Sequence, residues 1–170
     1  AKADQPWVAK ERHAVLKRAA KSAREGNIGV AWKAAESARK KAAEDADAMS
    51  AIDAFQQEIL DRGALRLAKA NKIAETGCYF VAMEYLTEQS KYYKGAPPEK
   101  EWKLLTKEWL KDKTIKLQYD LDKKRLSALE SAYKGDKAKA VKSLKKLMEK
   151  ASGTALHDAI VKDYEGIRMM

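Results

Sequence analysis

The chain has little that interrupts a helix: three prolines and eight glycines in 170 residues. It has one cysteine, Cys78, which excludes an internal disulfide, and two histidines, His13 and His157. Neither histidine has a second ligand type close by in sequence, and a metal or haem site needs more ligands than that. Valine, isoleucine and threonine are sparse and do not alternate with polar residues, so no β-sheet is expected. No apolar run approaches the roughly 20 residues that cross a bilayer, so no transmembrane segment is expected. Also missing are a glycine-rich phosphate loop, a paired-cysteine motif, His-Glu-x-x-His, and the Glu-x-x-His of di-iron bundles. These absences predict a protein that is not an enzyme and carries no cofactor or metal. Cys78 falls on an apolar stripe between Ala74 and Val81, where it reads as a small buried hydrophobe; no base is at hand to make it a nucleophile.

What the chain has in abundance is Ala, Lys, Glu and Leu, the residues of long helices. The length suits one domain, 1–170, and the fold class is all-α, an up-down helical bundle of four long helices plus one or two short ones. A first helix is expected after Pro6, through Trp7, Val8, Val15 and Leu16 to Arg24, closed by Gly26. Asn27 then caps a second, with Ile28, Ala31, Ala35, Ala38, Ala42, Met49, Ile52 and Ile59 at three-four spacing. Gly63 marks a break, and Leu67, Ala70, Ala74, Cys78, Val81, Tyr85 and Leu86 define a third helix ending near Tyr93. Lys94 to Pro98 is a loop. A fourth helix opens at Glu99 and runs to about Lys134, and Trp102, Leu105 and Trp109 place at least one tryptophan in the core. Gly135-Asp136 repeats the logic of Gly26-Asn27 and opens a lysine-rich helix with Val141, Leu144 and Leu147 inside. A short last helix is expected from Thr154 to about Tyr164.

The formal charge is +10. Such an excess attracts an acidic partner: the acidic protein surface of a larger multi-subunit membrane complex, or, as a second choice, nucleic acid. The candidate docking residues are Lys10, Arg12, Lys17, Arg18, Lys21 and Arg24; Arg39, Lys40 and Lys41; and Lys137, Lys139, Lys142, Lys145 and Lys146, in a run that reaches Lys150. Tyr92 and Tyr93 are candidate aromatic anchors. The opening Ala1-Lys2-Ala3, without an initiator methionine, reads as a processed or trimmed N-terminus.

Trp102, the segment Leu117-Gln118-Tyr119-Asp120-Leu121, the lysine-rich turn and Lys142-Ser143-Leu144-Lys145-Lys146-Leu147 together resemble the PsbQ family of extrinsic photosystem II subunits. In that family a tryptophan-led helix carries Leu-x-Tyr-Asp-Leu, and a final helix carries Lys-Ser-Leu-x-x-Leu. The likeness covers about residues 102–150, and the first ninety residues carry none of it. It implies a thylakoid-lumen protein of the chloroplast that docks electrostatically on the photosystem and supports oxygen evolution without itself binding the manganese. The charge alone leaves two other readings open: an RNA-binding or ribosome-associated basic helical protein, and an accessory subunit of another organellar membrane complex.

Overall fold

Gly26 and Gly135 each take a left-handed backbone, with φ of 82° and 96°, just past the end of a helix. An L side chain would be strained there, so the chain turns at these points and a new helix begins. The computed structural model describes residues 13–169, and among them every regular element is helical. A 3-10 turn at Ala14–Leu16 leads into α1 (Lys17–Arg24) and α2 (Ile28–Lys41). Then come α3 (Ala46–Glu75), α4 (Tyr79–Tyr92), α5 (Pro97–Lys111), α6 (Lys113–Tyr133), α7 (Lys137–Ala151) and α8 (Leu156–Met169). The expected start of the first helix after Pro6 lies outside the described residues.

Three of the expected long helices are divided. The second ends at Ala42, because the Asp45 carboxylate accepts the Ala48 N–H at 2.9 Å and so starts α3 afresh. The third is split at Gly77, whose φ of 77° closes α3 and leaves Cys78 in the turn before α4. The fourth stops at Asp112, which accepts the N–H groups of Thr114 at 2.8 Å and Ile115 at 3.0 Å as the N-cap of α6. In each case a side chain or a glycine satisfies helix-end groups more locally than the alanine- and lysine-rich flanks reveal. Gly63, by contrast, breaks nothing. It lies inside α3, and a Cβ built there would stand 2.5 Å from the ring of Pro98. The last helix runs past Tyr164 to Met169.

The chain divides into two compact units. The first comprises the described residues up to Lys69 with Leu86–Leu105. Here α1 and α2 pack on each other, and their alanines Ala19, Ala20, Ala23, Ala31, Ala35 and Ala38 are all buried. Side chains this small let backbones approach, and a Cβ on Gly29 would lie 2.1 Å from the Lys94 carbonyl oxygen. The bulk of this unit's core comes from Ile52, Phe55, Ile59, Leu86, Tyr93 and Trp102. The Tyr93 and Trp102 rings stand 4.9 Å apart, and the Arg66 guanidinium lies 5.3 Å from the centroid of the Tyr93 ring.

The second unit comprises Ala70–Tyr85 and the chain from Thr106 onward. Its core is built on Leu121, Leu144, Leu147, Leu156 and Ile160, with Ala128, Ala140 and Ala151 between them. At its centre Asp122, fully buried, accepts the Val81 N–H at 3.1 Å and Arg125 Nε at 2.9 Å. Arg125 Nη1 reaches Asp163 at 2.6 Å, and its Nη2 stands 3.8 Å from Cys78 Sγ. Burial alone would lower the Arg125 pKa, but its bonds to the Asp163 and Asp122 carboxylates more than offset that and raise it.

Candidate docking surface

Helix α7 is set by its cap and by its pattern. Asp136 accepts the Lys139 N–H at 3.1 Å, and Ala140, Leu144, Leu147 and Ala151 turn one face inward. The outer positions include Lys137, Lys139, Lys142, Lys145, Lys146 and Lys150, all exposed, together with one acid, Glu149. Among the described residues none of these six forms an ion pair. Some lysines elsewhere are paired: Lys91 with Glu88, Lys103 with Glu99 at 2.6 Å, Lys111 with Glu108 at 2.6 Å and Lys134 with Glu130 at 2.5 Å. An exposed i,i+3 or i,i+4 pair adds little stability, but it does locally neutralise the charge. The α7 lysines keep theirs.

Between α6 and α7 lies a groove of about 350 Å3 lined by Lys124, Ser127, Ala128 and Ser131 from α6 and by Lys139, Ser143, Lys146, Leu147 and Lys150 from α7. The spacing of Lys124, Ser127 and Ser131 puts them on one face of α6. No carboxylate and no aromatic side chain lines it. Ser131 Oγ donates to the Ser127 carbonyl at 3.0 Å.

The other candidate docking residues are scattered. Lys10 and Arg12 lie outside the described residues. Lys17, Arg18, Lys21 and Arg24 are exposed on α1, where Lys21 stands 4.0 Å from Glu25. Lys40 and Lys41 are exposed at the end of α2, whereas Arg39 turns inward to Asp53 and, at 2.8 Å, to Gln56. Tyr92 is 47% exposed, but Tyr93 is only 1% exposed. Tyr93 is therefore a core residue and not an anchor: the turn that follows α4 carries its ring onto Trp102. The structure thus gathers the α7 lysines on one helix and adds Lys124 and the three serines, which the linear charge pattern does not single out. Lys124, Ser127 and Ser131 share a face at three-four spacing, the one signal in the sequence that could have found them.

Of the two histidines, His13 accepts the Val15 N–H through Nδ1 at 3.4 Å and His157 lies 3.5 Å from Asp158. Cys78 is buried, and burial pushes its thiol pKa up, away from the reactive thiolate. No described helix is long and apolar enough to cross a membrane. Set against protein-family models, curated proteins and solved structures, the chain matches none of them.

Proposed function

We propose that the protein is a non-catalytic docking subunit that binds an acidic surface of a larger multi-subunit membrane complex, with α7 as its principal contact. The observation that carries this reading is the row of six exposed α7 lysines, none of them in an ion pair among the described residues, which outnumber the one acid of the helix, Glu149, and give it a net positive field toward an approaching partner. In its most concrete form the partner is photosystem II, the site is the thylakoid lumen, and the subunit supports oxygen evolution in the manner of the PsbQ family. That form rests on the likeness over residues 102–150. The likeness also brings with it an up-down bundle of four long helices, and it draws little strength from the helix lengths: α2, α4, α5, α7 and α8 are only 14 or 15 residues long.

Retention on purified photosynthetic membranes and on total RNA, compared across a salt series, tests the reading. Membrane binding is expected to weaken steeply as the screening length falls from about 10 Å at 0.1 M salt to about 3 Å at 1 M. Binding indifferent to salt would remove the electrostatic basis. Stronger retention on RNA at every ionic strength would replace this reading with an RNA-binding or ribosome-associated one, and binding to some other organellar membrane would keep the docking role with a different complex.

A further inference from the structure

We propose that the groove between α6 and α7 is the recognition element of this docking, and that it takes a short acidic peptide segment of the partner in extended form. The inference rests on the docking reading above but goes further, because a docking subunit could act through diffuse surface charge alone.

Three features of the groove select the occupant. The first is its charge: Lys124, Lys139, Lys146 and Lys150 line it without a single Asp or Glu, and none of the four forms an ion pair among the described residues. The second is its length. From Lys139 to Lys150 α7 rises roughly 16 Å, which matches about five residues of extended peptide. Lysines spread along such a strip suit several carboxylates in a row better than one compact anion. Side-chain hydroxyls of Ser127 and Ser143 add short-range donors between the ammonium groups, while the Ser131 hydroxyl is already given to the Ser127 carbonyl.

The third feature is its floor. Ala128 and Leu147, 5% and 6% exposed, form an apolar base between the two rows of polar groups. An aliphatic side chain in the middle of an acidic segment would rest there while its neighbours reach the lysines. Single-stranded nucleic acid would satisfy the charge too, but such sites stack bases on aromatic side chains, and no aromatic residue lines this groove. A protein segment is therefore the better match.

The test uses the full chain and a fluorescein-labelled peptide of alternating Asp and Glu around one central Leu, read by polarisation, with oligouridylate of equal charge as competitor. Two double variants change the net charge equally: Lys124→Glu with Lys146→Glu in the groove, and Lys113→Glu with Lys116→Glu on exposed α6 positions outside it. All four sites are exposed, and unchanged helical circular dichroism confirms that both variants fold. The groove pair is expected to weaken peptide binding about tenfold or more, and the outside pair only about two- to threefold through the general field. The peptide should also outcompete oligouridylate.

Equal losses for the two pairs would overturn the groove while leaving salt-sensitive membrane docking intact. Failure of the wild-type chain to bind the peptide, with membrane binding preserved, would do the same. Stronger displacement by oligouridylate than by unlabelled peptide would overturn the choice of a peptide occupant. Loss of both membrane and peptide binding at low salt would instead remove the docking reading on which the groove depends.

Discussion

The two units of the chain both have cores of large apolar side chains, and they differ in what is added to that core. In the first, small residues let backbones come together: α1 and α2, in contact, bury mostly alanine, and Gly29 admits the Lys94 carbonyl where no side chain fits. In the second, a buried arginine is held between two carboxylates within the apolar core. The first kind of packing fails when an atom is added. The second fails when one is taken away, and most severely when the atom removed carries charge.

The comparison breaks most sharply at Asp122. Asp122→Ala leaves Arg125 buried with one partner fewer and the Val81 N–H without its acceptor, and is expected to destabilise the protein by about 3–5 kcal/mol. Urea unfolding measures it, and a loss below about 1 kcal/mol would mean that the cluster behaves like a surface pair. Next comes the first unit's complement, Gly29→Ala. Alanine favours a helix over glycine by roughly 1 kcal/mol, so a gain would be expected if space allowed. With a backbone oxygen 2.1 Å from the new Cβ, a net loss of about 1–3 kcal/mol is expected instead. A stabilised variant would show that the close approach relaxes freely.

The smallest effect concerns pH in the first unit. The Glu99 carboxyl is held below its usual range, first by Lys103 Nζ at 2.6 Å and then by the Gly95 N–H at 2.6 Å, against the opposing effect of burial. Because the folded value lies below the unfolded one, this stabilisation is present above the ordinary carboxylate range and is lost as pH falls through the lowered folded value. Glu99→Gln should therefore flatten the acid limb of the stability-against-pH curve and change little near neutrality. An unchanged acid limb would assign the sensitivity to other carboxylates.

The helical class and the two glycine turns at Gly26 and Gly135 were legible in the sequence, because composition and a Gly-Asn or Gly-Asp pair act locally. The breaks at Asp45 and Asp112 were not. An aspartate can sit on a solvated helix face or cap the next helix, and a cap contributes only about 1 kcal/mol, so apolar periodicity on both sides conceals the choice. Gly77 was hidden in the same way, since Ala74, Cys78 and Val81 continue a plausible stripe across it. For the groove, the α7 lysines stand out as a run in sequence. Lys124 and the serines acquire meaning only when α6 and α7 lie side by side, which is a fact of tertiary structure. Tyr92 and Tyr93 were indistinguishable by type, and only the course of the chain after α4 separates an exposed ring from a buried one.

The glycine turns also bear on how the chain acquires its structure. At Gly26 and Gly135 a left-handed residue sends the chain directly into a helix that packs on the one just completed, α1 with α2 and α6 with α7, and α7 packs in turn on α8. These partners are neighbours in sequence, so little loop entropy is spent before burial rewards it, and low contact order of this kind goes with rapid folding. During synthesis each helix of such a pair finds its mate within a few dozen residues, which shortens the time its apolar face is open to aggregation. The two walls of the lysine groove are one such pair, and they can come together before the final helix has been made.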